Sequence, residues 1–132
     1  MLRGYLQRLS APSKLYLTRC YSSEGTGWND YGSVPAYESR WTSFFTSDAY
    51  DRFELQRGLT LCFQYDIVPT IPVLEAAFRA CRRLDDFATG VRIFGALRQK
   101  CKSDKEYFEY SQYLLPIKNE LGLSAPEDID RR

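Results

Sequence analysis

Residues 68–101 read VPTIPVLEAAFRACRRLDDFATGVRIFGALRQKC, and two helices can be read from them directly. Pro69 disfavours helical geometry in the residue before it. Thr70 stands at a capping position, and Pro72 falls in a first helical turn, where a missing N–H costs nothing. Leu74, Ala77, Phe78, Cys81 and Leu84 then return at three- and four-residue steps, the spacing of one buried helix face. Asp85 or Asp86 caps a second helix after almost no linker, with Phe87, Val91, Phe94, Leu97 and Cys101 along its apolar side. So short a connection turns the chain back on itself, which predicts an antiparallel helical hairpin.

Outward from this hairpin the same period continues. Pro35 opens a helix carrying Tyr37, Trp41, Phe44 and Phe45; Thr46, Ser47 and Asp48 end it and supply a cap for the next. That second helix has the stripe Leu55, Leu59, Cys62 and Phe63 and stops at the Pro-terminated run 65–69. Downstream, Tyr107, Tyr110, Leu114, Ile117 and Leu121 mark a helix from about Asp104 to Leu121, which Pro116 is expected to bend or split. Gly122 suits a C-terminal cap, and 124–127 (SAPE) predicts a capping box for one last short turn. No strand pattern is evident. The expected fold is all-α, about five helices paired as hairpins.

The chain has 132 residues, enough for one domain with a real core, and 18 Lys and Arg balance 17 Asp and Glu. No stretch free of charged residues exceeds eight, which excludes a membrane-spanning helix of about 20 apolar residues. There is no histidine, so Ser/His or Cys/His catalysis and His-ligated haem or zinc are excluded. Cys20, Cys62, Cys81 and Cys101 contain no Cys-x-x-Cys pair. They read as buried thiols in a reducing compartment rather than as a metal site.

The charge is unevenly placed. Residues 1–23 hold Arg3, Arg8, Lys14 and Arg19 and no acid. Arg- and Ser-containing, amphipathic and acid-free is the composition of a mitochondrial transit peptide. Its end, Arg19-Cys20-Tyr21-Ser22, fits a matrix-peptidase site, with cleavage between Tyr21 and Ser22. The alternative is a basic N-terminus without an address. The expected organisation is a transit peptide over 1–21, a Gly- and Ser-rich flexible leader over 22–34 and a helical domain over 35–132. From Ser22 onward the chain holds 14 Lys and Arg against 17 Asp and Glu, an acidic balance unsuited to phosphate binding.

Arg79, Arg82, Arg83, Asp85 and Asp86 form the densest charge cluster, astride the turn of the central hairpin. Arg forks there would suit docking on a partner's carboxylates or carbonyls. Equally, cations suit a helix C-terminus and anions the next N-terminus without any partner. Trp41 and its aromatic neighbours suit packing or an interface anchor. The paired acids Asp85–Asp86 and Asp128/Asp130 sit at caps and tails, with nothing beside them that suggests a perturbed carboxylate. The central hairpin is also similar to a pentatricopeptide-type repeat, but such arrays need about three or more units, and one is evident here. A matrix helical-hairpin RNA-binding or adaptor protein is therefore the weaker alternative.

From Arg40 to Pro126 the sequence resembles the mitochondrial cytochrome c oxidase subunit 5A family, called subunit VI in fungi. The resemblance rests on RWTSFF (40–45), ELQRG (54–58), YDIVP (65–69), AAFRACRRLDDFA (76–88), VRIF (91–94), LPIKNELG (115–122) and SAPE (124–127), in order and without obvious gaps. It implies a short right-handed α-α superhelix of hairpins, peripheral on the matrix side of the inner membrane. It implies no catalytic residue, no cofactor and no metal on this chain, because haem a and copper belong to other subunits. The implied role is to bind subunit I and subunit IV, supporting assembly and stability without contact to nucleic acid. On the same ground Trp41, Arg79, Arg82, Arg83, Asp85 and Asp86 become candidate interface residues.

Overall fold

A computed structural model describes residues 34–64 and 68–130. They form six helices: α1 (Val34–Thr46), α2 (Arg52–Gln64), α3 (Ile71–Arg83), α4 (Phe87–Lys100), α5 (Asp104–Leu121) and α6 (Pro126–Asp130). No strand occurs among the described residues, and the fold is all-α. No described helix is long and apolar enough to cross a membrane.

Local chemistry sets most of the boundaries. The Asp51 carboxylate accepts the Glu54 N–H at 3.0 Å, so α2 is capped there and not within 46–48 as expected. Thr70 precedes α3 in extended geometry but makes no side-chain cap bond, and its hydroxyl is buried without a partner. The start of α3 rests instead on Pro72 and on buried Val68 and Ile71. Ser103 accepts the Glu106 N–H at 3.2 Å while Glu106 takes the Lys102 N–H at 2.7 Å, and together these fix the first turn of α5. Gly122 ends α5 in left-handed geometry (φ 66°), and the Leu123 N–H closes on the Lys118 carbonyl at 3.0 Å.

Three further local expectations need correction. Phe87 is 51% exposed, and α4 buries Thr89, Gly90, Ile93, Phe94 and Leu97 instead of a Phe87–Val91 face. Gly90 is the reason: a Cβ there would lie 2.9 Å from Leu123 Cδ2, so the bare backbone is what lets the chain after α5 close on α4. Pro116 does not split α5, which runs as one element. The carbonyl of Gln112, which loses a helical donor to the proline, belongs to an exposed residue that water can reach, while buried Leu114 and Ile117 keep both sides of the proline on the core. Glu127 does not reach back to Ser124; it accepts the Tyr107 hydroxyl at 2.8 Å. Asp128 takes the Ala125 N–H at 3.2 Å and pairs with Lys118.

The helices stack in rows. α1 lies along α3, the broadest contact among the described helices, α3 lies along α5, and α4 meets α6. α3 also touches α2 and α4 and so occupies the centre. It buries Ile71, Val73, Leu74, Ala77, Phe78, Ala80 and Cys81. Phe78 stacks on Phe94 of α4 at 4.7 Å between ring centroids. At about 25 cal/mol per Å² of apolar surface, each fully buried Leu or Phe of this core contributes roughly 1.5–3 kcal/mol.

Candidate protein-docking surface

The α3–α4 turn is built by backbone rules before any side chain is considered. The Asp86 N–H bonds to the Cys81 carbonyl at 2.9 Å and the Asp85 N–H to the Arg82 carbonyl at 3.1 Å. This double bond pattern places Asp85 in left-handed geometry, φ 55°, where glycine is the usual residue. An L-residue there costs about 1–2 kcal/mol, although Asp tolerates it better than most. Asp86 then opens α4, accepting the Thr89 N–H at 3.1 Å and the Thr89 hydroxyl at 2.6 Å. The Thr89 hydroxyl bond holds the Asp86 carboxyl below its ordinary range, with Gln56 and Arg52 reinforcing it.

The five clustered charges have different neighbours. Arg83 reaches across to the end of α1, donating to the Phe45 carbonyl at 3.2 Å and the Ser47 carbonyl at 2.9 Å, and pairing with Asp48 at 3.3 Å. Arg79 forms a two-pronged pair with Glu120 of α5, at 3.0 and 3.3 Å. Both partners are about half exposed, so the pair adds at most about 1 kcal/mol. Arg82 is exposed, and its side chain has no ion pair or hydrogen bond among the described residues. Trp41 is 3% exposed, stacked on Phe45 and edge-on to Phe44, so its ring belongs to the core and offers a partner almost no surface. Tyr21 and Ser22 lie outside the described residues.

One member of this constellation has no signature in the sequence. Arg52, the first residue of α2, donates to the carbonyls of Leu84 and Asp85 at 3.2 Å each. It thus closes the end of α3 as Arg83 closes the end of α1. Its partners lie more than 30 residues away, beyond the reach of any local pattern. The exposed Phe53 (80%) and Phe87 (51%) flank this region at the starts of α2 and α4. The hollow between Cys81, Arg82, Asp85 and Phe87 has a volume of only about 20 Å³, close to a single water. The arrangement presents charged side chains with exposed phenylalanines at its edges and no cavity large enough for a small ligand at the turn.

Chemically reactive groups are subdued. Burial pushes the Cys62 and Cys81 thiols up to about 12, so both remain protonated and poorly nucleophilic at neutral pH. Cys62 Sγ lies 3.3 Å from the Tyr37 hydroxyl. Among the described residues no group of three or more Cys, Asp or Glu is placed to hold a metal ion.

Comparison with known proteins gives a consistent result. A model of the family described as cytochrome c oxidase subunit Va matches residues 32–131. The chain is 40% identical to the mitochondrial cytochrome c oxidase subunit 5A of rat, over 96% of this chain and 86% of the rat protein. The mouse protein of the same name matches equally, and that of the lemur Eulemur fulvus fulvus is 38% identical over 96% of this chain and 83% of its own length.

Proposed function

The chain belongs to the cytochrome c oxidase subunit Va family, and from that premise we propose that it docks on the matrix side of the inner membrane, in part through the α3–α4 turn. It is an accessory subunit of mitochondrial cytochrome c oxidase, the respiratory complex that carries electrons from cytochrome c to oxygen, and it is not catalytic by itself. The alternative of an RNA-binding hairpin protein has no support among these relatives. The proposed partners are subunit I and subunit IV, with haem a and copper held by other subunits. The proposed role is to stabilise their association during assembly and in the finished complex. Residues 1–21 are proposed as the transit peptide, on the strength of their acid-free composition; N-terminal sequencing of the assembled chain should then begin at Ser22.

The observation that carries the docking reading is the difference between the three arginines. Arg79 and Arg83 serve this chain's own structure, whereas Arg82 holds an exposed charge with no such use. Arg82→Glu should leave the free chain folded and reduce its co-migration with the oxidase on native gels, with a matching fall in assembled activity. Arg83→Glu should instead lower the melting temperature of the chain itself. Undiminished assembly and activity with Arg82→Glu would exclude the turn as a docking surface.

A further inference from the structure

A groove of about 290 Å³ runs between α2 and α4. Its apolar floor is made by Leu59 and Phe63 of α2 with Ile93 and Ala96 of α4, and Thr60 and Arg92 line it as well. Gln56 and Thr89 lie toward one end, where Gln56 helps hold the Asp86 carboxyl below its ordinary range. From Gln56 to Phe63 the helix rises about 10 Å, enough for two turns of an incoming helix. The volume lies at the lower limit for small-molecule pockets, about 300–1,000 Å³, and suits two or three apolar side chains of a bound segment.

The charged residue that lines it is Arg92. α4 carries Arg92, Arg98 and Lys100 and no acid, and no acidic residue lines the groove. Arg98 is engaged with Asp104 at 3.7 Å and with the Tyr107 ring. Arg92 is exposed and has neither ion pair nor hydrogen bond among the described residues. An arginine fork beside an apolar trough is complementary to a carboxylate beside apolar anchors.

We infer that the α2–α4 groove receives an acidic amphipathic helix from another subunit of the oxidase, with apolar residues on the half-buried Phe63 and Ala96 and a carboxylate on Arg92. This rests on the accessory-subunit reading and adds to it a second surface, separate from Arg82. The helix-in-groove mode, with anchors at three- and four-residue steps, is the form of recognition such a trough supports.

The test uses the assembled complex. Arg92→Glu and, independently, Thr60→Trp, which fills the groove from an exposed position, are expressed in place of the natural chain. Circular dichroism melts of each free variant check that it folds as the wild type does. Both variants should reduce co-migration with the oxidase about tenfold, the effect of losing roughly 1.4 kcal/mol, while Arg92→Lys should retain most of it. A photo-crosslinking residue at position 60 of the otherwise wild-type chain should couple, within the solubilised complex, to a segment of an oxidase subunit that contains Asp or Glu. Failure of the wild type to co-migrate would refute the accessory-subunit reading itself. Normal co-migration of both variants, or crosslinks only to lipid, to a second copy of this chain or to a basic segment, would overturn the groove assignment alone.

Discussion

Asp86 shows how much one side chain can do at the start of a helix. Its carboxylate satisfies the Thr89 N–H and hydroxyl, and its N–H completes the termination of α3. Asp86→Ala keeps the backbone bond and removes the cap, which should cost about 1 kcal/mol and lower the melting temperature by roughly 4–8 °C in a domain of this size. The carboxyl titrates below its ordinary value of 3.8, so its contribution is fully present above that pH and is lost as pH falls through the lower folded-state value. Wild type should therefore lose stability relative to Asp86→Ala on acidification below about pH 4, with no difference in slope between pH 5 and 7. Urea titrations at stepped pH would measure both effects. A parallel slope throughout would mean that the cap is not ionised in the way the geometry requires.

Among the elements, the α1–α2 pair depends on a missing side chain. A Cβ on Gly58 would lie 2.1 Å from the ring of Phe44, and that ring is held by Trp41, Phe45 and Tyr50 at centroid distances of 5.7, 5.3 and 4.5 Å. Gly58→Ala gains about 1 kcal/mol in helix propensity against a packing cost of about 1–3 kcal/mol. The expected result is a net loss of about 0–2 kcal/mol, recovered largely in the double variant with Phe44→Leu; equilibrium unfolding of the four-member cycle checks it. At this scale the sequence was informative. The stripes of α2, α3 and α5 lie where three- and four-residue steps place them, because each of these helices packs one face on a continuous core. The α4 face was misread because Phe87 is apolar but lies on the first turn, beside solvent, while Gly90 carries no hydrophobic signal and is buried by Leu123. Arg82, Arg83 and Asp86 were legible as a cluster. The Asp86 cap on Thr89 is local and was legible too; the tasks of Arg83 and Arg52 follow from contacts across more than 30 residues that no local window contains.

For the whole molecule, the central position of α3 makes stability collective. α1, α2, α4 and α5 each rest on it, and Arg52 and Arg83 complete helix ends that belong to other parts of the chain. A cavity opened in this core should therefore be felt globally. Leu114 is fully buried on the buried face of α5, and Leu114→Ala should remove about 2–5 kcal/mol from a total of roughly 5–15 kcal/mol. Urea unfolding should show a lower midpoint with an unchanged slope, the mark of a single transition. A second transition would mean that α5 and α6 come away independently.

The packing of α1 on α3 also sets an order of events in the life of each chain. Any process that delivers the polypeptide from its N-terminus releases Tyr37, Trp41 and Phe45 before the helix that covers them exists. At about 5–20 residues per second of synthesis, the wait for Arg83 is on the order of seconds. Throughout that interval the aromatic face of α1 stands open to chaperones and to other nascent chains. The last residue of α3 to emerge, the same arginine that closes the end of α1, is the one that brings the exposure to a close.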